Sequence, residues 1–458
     1  MTMSVLTDNT DLTLRLAGHF REAEALLASG SPELMNLPRK KAFQDFIAQG
    51  IPTRKSENYK YTNLQPAFAR EYHFLHQRPK IDFKPGEIFR CDVPQLDTHL
   101  VILLNGWYYE ENSPLAGLPD GVFLGSLEEA ARKYPELVAQ HYGSLAETVT
   151  DSLVALNTAL ARDGYFLYVP KNVRIDKPIQ IINLLLADSD AYVTQRNLVV
   201  AEPGAEVKLI LCDHTLNLNN YLNNSVTEIL IDENASVDYY TIQNQHNQSA
   251  SVNSVYIRQM ENSHVTTNTI SLHGGLIRNN LKVIIDGENS EANVYGMTFL
   301  DRKQHVDNFT QIVHAKPHCQ SNQLYKNVLD EESSGAFTGQ IYVMRDAQKI
   351  NAYQRNNNLL LTDKALMQTK PQLIIEADDV KCSHGATIGQ IDEEALFYLR
   401  ARGIEEKQAR LMLMNAFAYE VIRQVKVEPL RDRINELIEK RLRGEISRCH
   451  ECAYHCNC

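Results

Sequence analysis

Three tripeptides, Glu233-Asn234-Ala235, Glu261-Asn262-Ser263 and Glu288-Asn289-Ser290, punctuate the middle of the chain at intervals of 28 and then 27 residues. Between them run stretches of period-2 alternation rich in Val, Ile, Thr and Tyr, such as VTEILIDENASVDYYTI and LKVIIDGENSEANVYGM. Similar units at a near-constant interval of roughly 20–50 residues mark stacked repeats. A lone coil of short strands cannot bury its inward side chains. Stacked coils share a continuous core and pair each backbone edge with the next coil. The pattern predicts a mainly β protein with a parallel β-helix over residues 161–388; a large antiparallel sandwich is the alternative that strand counting leaves open.

The flanks have helical texture. In residues 1–160, LTLRLAGHFREAEALLASG and PRKKAFQDFIAQG read as two helices, with Gly30 and Gly50 placed to stop them. The turn-rich, aromatic stretch GIPTRKSENYKYTNL reads as a loop whose tyrosines anchor it to the body. Further on, HLVILLNGWYY reads as a strand and residues 127–142 as one helix. Residues 389–448 form a C-terminal helical domain: Asp392 caps EEALFYLRAR, Gly403 ends it, and EEKQARLMLMNAFAYEVIRQV continues for about five turns. Leu411, Met412, Leu413, Met414, Phe417, Val421 and Ile422 spread apolar surface beyond one stripe. Such a helix is either sandwiched inside the fold or reserves a face for another protein.

Charge and motifs narrow the function. With 46 basic against 57 acidic residues, the chain lacks the overall footprint of a nucleic-acid binder. No apolar run reaches the length of a membrane span, and the start has no basic patch followed by an apolar stretch, so a cytoplasmic protein is expected. Phosphate-loop, dinucleotide-binding and nucleophile-elbow motifs are missing from the sequence.

Cys382 and His384, two apart in LIIEADDVKCSHGATIG, would face the same side of a strand and offer sulfur and imidazole to one ligand. Two ligands do not complete a site, so the rest would come from elsewhere or from a partner chain. The alternative is a buried Cys beside a hydrogen-bonded His. In VHAKPHCQS, His314, His318 and Cys319 are read as structural, because Pro317 breaks the strand between them. The Cys/His-rich tail, residues 449–458, carries Cys449, Cys452, Cys456 and Cys458 at spacings able to chelate a soft metal, selected or adventitious. Two other classes stay in view: a β-helix carbohydrate-active enzyme, and a metal-binding protein acting through its tail.

The stretch VKCSHGATIGQIDEEALFYLRARGI, residues 380–404, resembles the SufB/SufD family of iron–sulfur cluster assembly proteins. Supporting stretches are GIPTRKSENYKYTNL, LNTALARDGYFLYVP, DRKQHVDNFTQIVH and NNNLLLTDKALMQTKPQLII. Gly385 after His384 resembles the SufD branch. Tyr59 stands where the family's N-terminal motif usually has Trp, and the Cys-rich tail is no part of the pattern.

The resemblance implies a right-handed parallel β-helix between an N-terminal region and C-terminal helices. It implies a scaffold that is not itself an enzyme. A SufB-like partner would pair through the β-helices, a SufC-like ATPase would dock on the C-terminal helices through residues such as Leu399, Met412 and Phe417, and the chain in isolation could form a homodimer. It also implies that His384, with Cys382 nearby, joins SufB residues at a shared site for a transient iron–sulfur cluster, with nothing tightly bound to this chain alone.

Overall fold

The computed structural model describes residues 9–79, 96–109 and 117–444; the tail cysteines lie outside the described residues. The middle of the chain is a parallel β-solenoid with two strands to each coil. One sheet runs, strand beside strand, through Tyr165–Val169, Ala191–Ala201, Tyr221–Ile231, Ala250–Gln259, Leu276–Ile285, His305–His314, Ser334–Val343 and Leu366–Ile375. The other runs through Ile179–Leu185, Glu206–Thr215, Ser236–Asn244, His264–His273, Glu291–Leu300, Gln320–Leu329, Ile350–Leu360 and Val380–Gly389. All these neighbours are parallel, so the antiparallel sandwich is excluded.

The repeating tripeptides are one corner of the coil. Asn234, Asn262 and Asn289 have φ of 58°, 55° and 57°, a left-handed conformation that Asn tolerates better than other side chains. The amide of Asn234 donates to Glu261 O and that of Asn262 to Glu288 O, so successive corners stack by hydrogen bonds. Gly204, His318 and Lys349 hold the same conformation in neighbouring coils.

Inward side chains form columns in register. Val207, Val237, Val265 and Ala292 make a dry column. Asn183, Asp213, Gln243 and Ser271 make a polar one six residues along the same face. There Gln243 and Asn279 exchange side-chain hydrogen bonds across the interior. Burial pushes the Asp213 carboxyl up to about 6, against the opposing pull of its hydrogen bond from Asn183.

The N-terminal region supplies helices and also strands. Helix α1 (Asn9–Gly30) is as expected, whereas α2 (Glu33–Gln49) begins ahead of the expected Pro38, which lies inside it; Gly50, at φ 69°, donates its amide to Phe46 O. After them comes the short α3 (Gln65–Phe68). The expected single strand HLVILLNGWYY is a hairpin, His99–Leu104 with Trp107–Tyr109, because Asn105 and Gly106 both take positive φ. Its first strand extends the second sheet, beside Ile179–Leu185, and Phe123–Ser126 extends the first. The expected helix over 127–142 is two, α4 (Leu127–Lys133) and α5 (Pro135–His141). Tyr134, the residue before Pro135, is driven out of helical geometry, with ψ 57°. α6 (Ser152–Leu160) is buried throughout and capped by Asp151.

The loop of residues 50–64 is anchored through its aromatic and hydroxyl groups, as expected. The Arg278 guanidinium lies 4.5 Å from the centre of the buried Tyr59 ring and pairs with Asp307, which also accepts from Thr62 Oγ1. Glu57 pairs with Lys370 on the last coil.

C-terminal helices α7 (Glu393–Ala401), α8 (Glu406–Ile422) and α9 (Glu428–Leu442) fold back over the outer face of the second sheet. Met414, Ala418 and Val421 of α8 pack with Ile242, Ile270 and Met297 of the sheet and with Ile434 of α9. Being sandwiched in this way accounts for most of the wide apolar surface of α8. No helix among the described residues is long and apolar enough to cross a membrane.

Candidate functional site

The solenoid ends in an unfinished coil. Val380–Gly389 pairs with Ile350–Leu360, and Leu366–Ile375 with Ser334–Val343, and neither has a strand on its other side among the described residues. Their outer N–H and C=O groups are therefore free for another chain. Leu366, Ile374, Ile375 and Ile388 expose apolar side chains on this coil.

Cys382 and His384 lie on that last strand, opposite Ala352 and Gln354. Cys382 is half-buried and packs against the interior cluster, which fixes the inward face of the strand. Two residues on, His384 points to the same side, yet it is exposed because no coil covers it. Both residues thus share one face, as expected. At Gly385 and Gly389 an added Cβ would meet nothing within 4 Å, so the space about the strand is open. Burial pushes the Cys382 thiol up, which disfavours the thiolate that binds metal. No group of three His, Cys, Asp or Glu among the described residues could hold a metal ion. Together the pair presents one imidazole, and less readily one sulfur, at the open edge.

His314, His318 and Cys319 are separated. His314 is buried, 2.9 Å from Ser321 Oγ, with its imidazole pushed down to about 4 by burial. His318 forms a corner, and the Cys319 thiol donates to Gly287 O.

On the C-terminal helices only one of the three expected docking residues stands out. Met412 is exposed. Leu399 is half-buried against the core, and Phe417 is engaged by Lys326, whose Nζ donates to Phe417 O at 3.0 Å and lies 4.5 Å from the ring. Phe417 is therefore only partly exposed. More exposed on these helices are Phe397, Tyr398 and Tyr419, by 73%, 57% and 53%, which the sequence reading did not single out. The signal was present for the first two: Leu396 fills the inward position, so its neighbours Phe397 and Tyr398 fall on the outer side.

Comparison with known proteins covers most of the chain. The family described as "SUF system FeS cluster assembly, SufBD core domain" matches residues 184–417, and "SufBD protein N-terminal region" matches residues 11–181. An iron–sulfur cluster assembly SufBD family protein of Synechocystis is 29% identical over 96% of this chain and 100% of its own length. The iron–sulfur cluster assembly protein SufD of Escherichia coli is 28% identical over 95% of this chain and 98% of its own. SufD of Bacillus subtilis is 28% identical over 70% and 74% respectively.

Proposed function

Because the chain belongs to the SufBD family of the SUF iron–sulfur cluster assembly system, we propose that it is the SufD-type half of a two-chain scaffold. In this reading a SufB-type partner adds its β-solenoid to the open coil, and His384 becomes one ligand of a cluster assembled as cargo between the chains. The observation that carries it is the inward-facing His384 on a terminal strand whose outer edge has no neighbour among the described residues. An incomplete ligand set at a free sheet edge calls for a second chain to supply both strand and ligands. His384 is the favoured ligand, since imidazole nitrogen binds first-row metals readily whereas burial disfavours the Cys382 thiolate.

The chain itself acts as scaffold, and nucleotide hydrolysis belongs to a SufC-type ATPase docked on the C-terminal helices. The exposed aromatics there provide anchors of the kind that dominate protein interfaces. Co-purification tests the arrangement. Phe397→Glu and Met412→Glu should each leave folding and SufB pairing intact but lower ATPase recovery at least tenfold. Ile374→Glu should do the reverse, weakening SufB pairing while the ATPase stays bound. Retention of the ATPase by both helix variants would place its docking surface elsewhere.

A further inference from the structure

We propose that Gln354 is the positioning residue for His384, its side-chain oxygen accepting the imidazole N–H so that the other ring nitrogen is held with its lone pair toward the open end. The inference rests on reading His384 as a cluster ligand and goes beyond it in naming what orients the ring.

The ladder makes the two residues neighbours. Gln354 lies opposite His384 on the adjacent strand and on the same inner face, and paired strands run ~4.8 Å apart. Register thus places the two side chains side by side on one face, with Gln354 Oε1 still unpartnered. Gln354 is 1% exposed, and its amide is oriented by a chain of hydrogen bonds reaching back into the solenoid. Its Nε2 donates to Gln323 Oε1 at 2.5 Å, and Gln323 Nε2 in turn donates to Thr310 Oγ1.

Both amides are thus polarised one way, nitrogen toward the body and oxygen toward the terminal coil. At the end of the chain Gln354 Oε1 is buried without a partner. Across the interior, Gly339 protects this arrangement: a Cβ there would sit 2.3 Å from Gln354 Nε2. A buried acceptor facing no donor is unfavourable. The nearest side chain in register that can supply an N–H is the imidazole of His384.

A neutral imidazole has one N–H and one lone pair on its two nitrogens. Giving the N–H to a fixed oxygen selects the tautomer and the ring orientation, the arrangement found behind most metal-binding histidines. Cys382 gains nothing comparable, because its register partner is Ala352. Thr369 on the facing terminal strand also has a buried Oγ1 without a partner and is the competing donor to Gln354.

The test uses the full chain in complex with its SufB-type partner. Gln354→Met keeps the length but removes the acceptor; it should pair normally yet lower cluster loading about tenfold, the usual cost of losing an outer partner of a metal ligand. Gln354→Glu, which still presents an oxygen, should retain most of the loading. Thr369→Val should have no effect. In the wild-type pair with 15N-labelled histidine, assigned by comparison with His384→Ala, the His384 ring N–H should exchange slowly with solvent. Normal loading by Gln354→Met, or equal loss in the Met and Glu variants with pairing intact, overturns the proposal. A freely exchanging His384 N–H overturns it even if no variant folds. If His384→Ala itself loads normally, the ligand reading has failed; if His384→Ala is deficient and Gln354→Met is not, only the positioning role has.

Discussion

Replacing Glu228 by alanine is expected to lower the stability of the protein by about 3–5 kcal/mol, the cost of leaving a buried charge without its partner. Glu228 and Arg196 are both fully buried, with Arg196 Nη2 donating to Glu228 Oε2 at 2.6 Å. The same carboxylate accepts the amides of Gly143 and Leu145 at 2.8 Å and Ala146 at 3.1 Å. Removing it strands a guanidinium and three backbone donors at once. The loop of residues 143–146 would lose its tie to the solenoid. Glu228→Gln, which keeps an acceptor, should cost less, and Arg196→Met combined with Glu228→Leu should recover part of the loss. Denaturant midpoints at unchanged slope measure the series. A loss below about 1 kcal/mol for Glu228→Ala would mean that the Arg196 guanidinium and the three amides are not left stranded when the carboxylate is removed.

His384→Ala should have the opposite profile, with stability unchanged and function lost. The side chain is exposed on the terminal strand, so its removal opens no cavity. Cluster loading by the two-chain complex should nevertheless fall by at least about tenfold, since even an outer-shell partner of a metal ligand costs that much. Cys382→Ala should be milder, because burial already holds its thiol away from the thiolate form. Iron and acid-labile sulfide in the purified complex report both. Should Cys382 prove essential and His384 dispensable, the roles of the two residues are reversed.

Much of the solenoid was legible because its corners need positive φ and three of them use Asn between Glu and a small residue. Other corners were silent, since His318 and Lys349 take the same conformation with side chains that carry no turn preference. Asn105-Gly106 and Pro135 did mark a hairpin and a helix break, and both lay inside stretches read as continuous. The polar half of the interior was hidden for a different reason. Asn183, Asp213 and Gln243 alternate like outward residues, and only the stacked register shows that they face one another inside.

The site was legible in part. Spacing put Cys382 and His384 on one face, but an edge strand and a central strand share the same alternation. Nothing in residues 380–389 announces that the coil above them is missing. Gln354 could not have been singled out at all, because its meaning lies in register with a residue 30 positions away. On α8 the mixture of inward and outward apolar residues concealed which was which until the sheet beneath it was known.

A cluster site divided between two chains makes a sharp demand on anaerobic reconstitution of a chain truncated after Arg448. Removing the tail cysteines eliminates adventitious metal from Cys449, Cys452, Cys456 and Cys458. Alone, the truncated chain should retain no stoichiometric iron or sulfide. Mixed with the SufB-type partner it should yield a complex carrying both, and His384→Ala should abolish that gain. A stable, stoichiometric cluster on the truncated chain by itself would contradict the account and require a complete site within its body.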